Sequence, residues 1–170
     1  MNKNCLYYAE GENDLKLLNS LKINPARITP GKTKKLNVIQ NLIPKSVLIS
    51  IKPGTTVAFT FDTDVMNTDI LKKNISNIKK YCQKVKIVYL MQVKNLEDEL
   101  IRCTDINNIQ ELTRSRSLNN YKSDFNKMSD KDCRNLLERH KINVNKLWSS
   151  IPPSRFNFLP ANSDEIKITD

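Results

Sequence analysis

Carboxylates follow two short apolar runs, and they are the side chains of this chain best suited to chemistry. The runs are Cys5 to Ala9 and Val57 to Phe61. The acidic residues that follow them are Glu10, Asp14, Asp62 and Asp64. Carboxylates that converge without cationic partners repel one another unless a cation lies between them. Oxygen ligands suit Mg²⁺ or Mn²⁺, which can neutralise a phosphate and activate water. The pattern therefore predicts metal-dependent chemistry on phosphate esters.

The spacing of the second cluster supports this interpretation. Residues two apart in a strand point to the same face, with about 6.5–7 Å between their Cα atoms, so Asp62 and Asp64 can face one point. Glu10 would join them if the first and third strands are neighbours. The alternative is that Asp62 and Asp64 only cap the following loop and helix. For Asp14, a first-turn helix residue favoured by the helix dipole is an equally good interpretation.

The elements that position these carboxylates alternate between strand and helix patterns. Such alternation predicts an α/β fold with a four-stranded, mostly parallel sheet and helices on both faces. Ligands of such sheets bind at the carboxyl ends of the strands. The predicted strands cover 5–9, 23–29 (an edge strand, because of Pro25), 57–61 and 85–91. The predicted helices cover 12–22, 32–42, a segment capped by Asn67 or Thr68 and ending at Cys82, and one capped by Asn95.

After about residue 104 no further strand pattern occurs. We expect a core over 1–104, a helical extension packed on it over 105–159, and a loose polar tail over 160–170. Ser129 is a predicted helix cap, and Asn143 is predicted to cap a helix that carries Leu147 and Trp148.

The composition favours a polyanionic partner. The chain has 170 residues and a formal net charge of +10, from 28 Lys and Arg against 18 Asp and Glu. On charge alone a solubilising lysine surface is an equally good interpretation, but acidic clusters within a basic chain favour nucleic acid, the commonest intracellular polyanion, as the predicted partner. The predicted contact residues are Lys32, Lys34, Arg114 and Arg116. The lysines of the third helix are interpreted as a solvent-exposed face. No apolar run is long enough for a membrane span, and a cytoplasmic location is expected.

The sequence lacks the residues that several other catalytic classes require. The sequence contains three Gly, so neither a phosphate-binding glycine loop nor a dinucleotide fingerprint is present. None of the four Cys lies within zinc-pair spacing of another, and the single His gives no basis for a catalytic triad.

The order Glu10-Gly11-x-x-Asp14, then Asp62-x-Asp64, each after a strand, resembles the Toprim domain over residues 5 to about 103. The nuclease branch of that family is most similar, namely the OLD-type, RloB-like and ribosomal-RNA maturation nucleases. The resemblance implies a site at the carboxyl end of the sheet, next to the point where the strand order reverses. It also implies that Asp62 and Asp64 bind Mg²⁺ or Mn²⁺, and that Glu10 acts as general acid or base or as a further metal ligand.

A third acidic group follows the last predicted strand. OLD-type and RloB-like members carry acidic residues in this region, which makes Glu97 a candidate fourth ligand. The alternative is a helix first turn, where acidic residues are favoured in any case. We leave both interpretations open for Glu97 and favour the first-turn interpretation for Asp98 and Glu99.

The resulting hypothesis is a Mg²⁺-dependent nuclease that cuts RNA, tRNA included, or DNA. Analogy with RloB-like proteins suggests a defence or toxin effector, with an ATPase or another protein as partner. The alternative is a non-catalytic nucleic-acid-binding subunit with a degenerate acidic site. A phosphotransfer or nucleotidyl-transfer enzyme with the same metal centre is a third hypothesis. The sequence predicts no oligomeric state.

Overall fold

The computed structural model describes residues 4–168 and contains one sheet of four parallel strands. The strands are β1 (Cys5–Ala9), β2 (Gly31–Lys35), β3 (Thr56–Asp62) and β4 (Lys86–Gln92), in the spatial order β2-β1-β3-β4. The crossovers between them contain α1 (Glu12–Leu21), α2 (Lys45–Ile49) and α3 (Asp69–Tyr81). The predicted α/β class and the alternating element order are confirmed.

Both faces of the sheet are buried, as expected where helices cover a parallel sheet on two sides. Because side chains alternate along a strand, Tyr7 lies on one face and Tyr8 on the other. The Tyr7 face packs against α1 and against helices that follow the sheet. The Tyr8 face packs against α2 and α3. With both faces covered, the strand ends and the sheet edges are left for binding.

The helix that follows β4 is α4 (Leu96–Cys103), which ends the predicted core. The predicted helical extension is present, and its helices α5 (Ile109–Thr113), α6 (Leu118–Lys127) and α7 (Asp130–Arg139) pack on the Tyr7 face, whereas the 3₁₀ helix Ser154–Phe156 packs Phe156 on the Tyr8 face. Tyr121 and Leu137 share one apolar cluster with Leu17 of α1. Two of the predicted caps are confirmed, since the Asn95 and Ser129 side chains accept hydrogen bonds from the backbone N–H groups of Asp98 and Asp132, whereas Thr68 precedes α3 without a capping hydrogen bond from its side chain.

The second strand is the main error of the sequence analysis. Residues 23–29 are not a strand, and the segment predicted as a helix over 32–42 begins inside β2. The predicted turn at Gly31 is instead the first residue of that strand, where a Cβ atom would lie 2.0 Å from the Cys5 carbonyl oxygen. Only glycine allows β2 to approach β1 so closely. Of the apolar residues that suggested a helix, Ile39 and Ile43 are buried in irregular backbone, whereas Leu42 is exposed.

Two predictions for the last part of the chain are also wrong. The segment after Asn143 forms turns rather than a helix, and Trp148 has a positive φ of 56°. The tail is not loose over its described part, because Ser163–Ile166 forms a 3₁₀ helix that buries Ser163 and Ile166. Residues 169–170 of the predicted tail lie outside the described part of the chain.

The same C-terminal segment contacts the outer edge of β4. The Asn162 side chain accepts a hydrogen bond from the Tyr89 N–H at 3.0 Å and donates one to the Ile87 carbonyl at 2.9 Å. Lys167 forms an isolated antiparallel bridge with Ile28. None of the helices within residues 4–168 is long and apolar enough to cross a membrane.

Candidate active site

The carboxyl ends of β1 and β3 bring the first two acidic clusters together. β1 pairs with β2 on one side and with β3 on the other, so the chain leaves β1 and β3 in opposite directions. Glu10 follows β1, and its Oε2 accepts a hydrogen bond from the backbone N–H of Asp62, at the end of β3, at 2.8 Å. The convergence predicted from the sequence is therefore present, at the point of the sheet where ligands bind in open α/β folds.

Glu10 is held from two sides. Its second oxygen, Oε1, accepts a hydrogen bond from Asn37 Nδ2 at 2.9 Å. Burial raises the pKa of the Glu10 carboxyl, and the nearby charge of Asp64 raises it further. The hydrogen bonds from the Asp62 N–H and from Asn37 act in the opposite direction, because they favour the ionised form. No sequence pattern pointed to Asn37, because its position depends on the irregular segment after β2.

The Asp62 carboxylate has no hydrogen-bond donor and no cation in contact within residues 4–168. Burial raises its pKa to about 8, with further contributions from Glu10, Asp14, Asp64 and Glu97 in that order. A carboxyl group in this state holds its proton at neutral pH unless a cation replaces that proton. Asp62 is therefore the acidic side chain whose surroundings fit a positive ligand best.

Asp14 satisfies both interpretations of its sequence position. It lies in the first turn of α1, where its Oδ2 accepts a hydrogen bond from the Gly11 N–H at 3.1 Å. Its Oδ1 accepts a hydrogen bond from Gln92 Nε2 at 2.5 Å. The residue is only 6% exposed, and burial raises its pKa to about 6 despite the hydrogen bonds from Gln92 and Gly11. Asp14 thus caps α1 and also adds negative charge beside Asp62.

The loop that carries Asp64 is fixed by backbone contacts with the end of β4. The Thr63 hydroxyl donates to the Gln92 carbonyl at 2.6 Å. The Lys94 carbonyl accepts hydrogen bonds from the N–H groups of Thr63 at 2.8 Å and Asp64 at 3.2 Å. The Asp64 side chain is exposed. It therefore lies at the open side of the site, whereas Asp62 lies deeper.

Glu97 lies in the first turn of α4 and also faces the site. Its Oε1 pairs with Lys122 Nζ of α6 at 3.2 Å. Two adjoining cavities of about 360 and 540 Å³ share Asp62, Glu97 and Lys122 in their walls. We call their union the acidic cleft, lined by Glu10, Asp14, Asp62, Asp64, Glu97 and Lys122. Sequence reasoning missed the place of Lys122 in this cleft, because the contact between α4 and α6 is tertiary.

Glu99 lies in the first turn of α4, as the sequence favoured, but its side chain faces the interior of the protein. It is fully buried, and its Oε2 accepts a hydrogen bond from the Val93 N–H at 2.8 Å. Its Oε1 accepts from the Trp148 N–H at 2.6 Å and from Arg102 at 2.7 Å. Glu99 therefore joins the end of β4 to the C-terminal turns and takes no part in the cleft.

The carboxylates of the cleft do not form a ready-made metal centre. Across residues 4–168, no group of three or more His, Cys, Asp or Glu side chains is placed to hold one metal ion. The hydrogen bonds of Glu10 and Asp14 and the ion pair of Glu97 account for this, because each turns a carboxylate toward a protein partner. The donor set itself, all oxygen and centred on the unpartnered Asp62, fits Mg²⁺ or Mn²⁺.

The predicted basic contact residues do not line the acidic cleft. Lys32 and Lys34 lie in the edge strand β2, paired in register with Leu6 and Tyr8, before the end of β1. Arg114 ends α5 with a left-handed backbone, and Arg116 follows in the exposed loop before α6. The cation that the cleft does contain is Lys122.

Comparison with known proteins identifies no relative. No protein-family model, no curated protein and no solved structure matches the chain.

Proposed function

We propose that this protein is a metal-dependent nuclease of Toprim type that hydrolyses phosphodiester bonds in RNA or DNA. The observation that carries the proposal is the contact between Glu10 and Asp62 at the reversal of strand order. Two acidic side chains from separate strands meet there beside a third from α4 and a lysine from α6. Although the chain has a net charge of +10, carboxylates predominate among the charged residues that line this concave site.

The residues of the cleft divide into metal-binding and proton-handling groups. Asp62 and Asp64 would hold Mg²⁺ or Mn²⁺, with Glu97 as an additional ligand once it leaves Lys122. The bound metal would neutralise the phosphate and lower the pKa of water. Burial raises the pKa of Glu10, which suits a group that takes up and releases a proton during the reaction. Lys122 would bind a phosphate oxygen at the mouth of the cleft.

The biological setting of the proposal rests on the family resemblance alone. It comprises a cytoplasmic defence or toxin effector, with tRNA among its substrates and an ATPase or another protein as partner. The chemistry at the cleft does not depend on this setting, so the two are tested separately.

The direct test is a cleavage assay with labelled RNA and DNA, in Mg²⁺, in Mn²⁺ and in chelator. We expect cleavage by the wild-type protein with metal only, and its loss in Asp62→Asn and Glu10→Gln. Asp69→Asn is the matched control, since it makes the same chemical change at an exposed helix start outside the cleft. Cleavage that survives in Asp62→Asn, or that ignores the chelator, would contradict the proposal.

One observation favours a second function. Because no three acidic, thiol or imidazole side chains within the described part of the chain are placed to hold a cation, the cleft could be a non-catalytic remnant in a nucleic-acid-binding subunit. That function predicts tight, salt-sensitive binding with no cleavage in either metal. It also predicts that Asp62→Asn binds as tightly as the wild-type protein, because Asp62 holds its proton at neutral pH without a cation and the change then removes no charge.

A further inference from the structure

A second concave surface lies toward the amino ends of the strands. It is a groove of about 350 Å³ between the β1–β2 edge and the segment that joins α2 to β3. Leu6 and Ile51 contribute apolar surface, and Lys32, Lys34 and Lys52 contribute positive charge. We call this surface the lysine groove. No Asp or Glu lines it among the residues that the structure describes.

The three lysines of the groove carry uncompensated charge. Between residues 4 and 168, no carboxylate forms an ion pair with any of them, and no hydrogen bond holds their ammonium groups. The adjacent Lys35 differs, because it pairs with Glu12 at 2.5 Å. Three unpaired lysines around one concavity produce a local positive potential that attracts polyanions.

The composition of the groove fits a phosphodiester chain better than a simple anion. Unpaired ammonium groups can contact successive phosphates, while the apolar surface of Leu6 and Ile51 can accept a base or sugar. Lys34 is in register with Tyr8, two residues before Glu10, and Lys32 is in register with Leu6, four residues before it. At about 3.3 Å per residue, the lysines lie about 7 and 13 Å from the level of Glu10 along the strand.

We propose that the lysine groove binds the backbone of a nucleic acid strand. As an anchor for a strand that is cut in the acidic cleft, this role rests on the proposed nuclease function, whereas the binding itself does not. A free nucleotide offers the same phosphate chemistry, so the experiment must distinguish a strand from a mononucleotide.

The test measures binding without catalysis. Fluorescence anisotropy in chelator, in the Asp62→Asn background, would follow a labelled single strand of about 20 nucleotides, as RNA and as DNA, over about 50 to 300 mM KCl. The groove variant carries Lys32→Gln, Lys34→Gln and Lys52→Gln. The control variant carries Lys73→Gln, Lys79→Gln and Lys131→Gln, which change three exposed helix lysines and give the same net charge.

We expect the groove variant to bind about 10- to 100-fold more weakly at low salt, and its salt slope to fall by about 2 to 3. The control variant should stay within about threefold of its parent, and ATP should compete only at millimolar concentration. Equal losses in the two variants would overturn the proposal, because net charge alone would then explain binding. Displacement by micromolar ATP would overturn it as well, in favour of a nucleotide site.

These outcomes are separable from the fate of the nuclease proposal. If the groove variant binds more weakly than the control variant but the wild-type protein cleaves no substrate, the binding site is supported and the nuclease proposal is rejected. If the wild-type protein shows metal-dependent cleavage but both variants lose binding equally, the nuclease is supported and the binding site is rejected.

Discussion

The carboxyl and amino ends of the same sheet carry opposite charge in different physical states. At the carboxyl end, Glu10, Asp14 and Asp62 are largely shielded from water, Glu10 raises the pKa of Asp14, and both of them raise the pKa of Asp62. Toward the amino end, Lys32, Lys34 and Lys52 line an open groove without ionic partners among the described residues. The acidic groups therefore depend on one another, whereas the lysines act independently.

This difference determines how each end should respond to change. Removing a buried, coupled charge alters protonation, stability and cation affinity together. Removing a solvated lysine alters only the attraction of an external polyanion, and that attraction is screened by salt. The following predictions use this contrast, from the largest expected effect to the smallest.

The cleavage rate should show the largest difference between substitutions at the carboxyl end of the sheet and substitutions at its amino end. Asp62→Asn should lower the cleavage rate by about 10²- to 10³-fold, because it removes a ligand of the metal ion that would neutralise the reacting phosphate. Lys34→Gln should lower it less than about tenfold, and raising the substrate concentration should restore most of the loss. The measurement is a single-turnover rate as a function of substrate concentration. A loss in Lys34→Gln that saturating substrate does not restore would show that the lysine end takes part in the chemical step.

Cation affinity should depend on pH only through the acidic cleft. Asp62 has a pKa of about 8 without metal, so a cation must displace its proton at neutral pH. Mn²⁺ affinity should then rise about tenfold per pH unit between about pH 6 and 8. Calorimetry in buffers of different ionisation enthalpy would show the released proton. The lysine-groove triple variant should keep the same slope, and a flat profile in the wild-type protein would remove Asp62 from the ligand set.

Stability in chelator should also depend on Asp62. Its folded pKa lies above its unfolded value, so folding favours the protonated form, and this contribution falls as pH rises from about 4 toward 8. Asparagine does not ionise, so Asp62→Asn removes the cost of ionising a buried carboxyl group in the folded state. The free energy of unfolding should therefore rise by about 1 to 2 kcal/mol at pH 8 but not at pH 4. Urea titrations at the two pH values measure this. The exposed Asp64→Asn should produce a smaller change, and an equal change would mean that burial is not the cause.

The smallest effect is expected at the ion pair between Glu97 and Lys122. Lys122 is about half exposed, with a side-chain exposure of 51%, so the pair should contribute less than about 1 kcal/mol to folding. Lys122→Gln should thus leave the urea midpoint nearly unchanged. The same change should raise Mn²⁺ affinity about two- to fivefold, because it frees Glu97 and removes a competing positive charge. Lys122→Arg, which keeps the charge, is the control and should leave Mn²⁺ affinity within about twofold of the wild type.

The sequence was informative where local pattern and structure coincide. Glu10 and Asp62 stand at the ends of buried apolar strands, and parallel strands end at one rim, so their meeting could be predicted on the condition that the first and third strands are neighbours, which the strand order fulfils. The caps Asn95 and Ser129 could be predicted for a similar reason, since capping depends on residues three positions apart.

The errors arise where a segment takes its structure from distant contacts. The edge strand β2 reads Gly-Lys-Thr-Lys-Lys, and no strand pattern is visible because its outward side faces solvent. Glu99 and Glu97 are two positions apart in one helix, yet one is fully buried in a hydrogen-bond network and the other lines the cleft. Only the packing of α4 against the rest of the fold distinguishes them, and a single sequence does not contain that information.

The contact of Asn162 with β4 also bears on how the protein stays dispersed. A free sheet edge can recruit another chain by backbone pairing, which is a common route to aggregation. At the β4 edge, the amide of Asn162 satisfies the Tyr89 N–H and the Ile87 carbonyl as an added strand would. The opposite edge, β2, is flanked by ammonium groups that repel a second copy. Backbone pairing with a second copy is thus opposed by one amide at one margin of the sheet and by like-charge repulsion at the other.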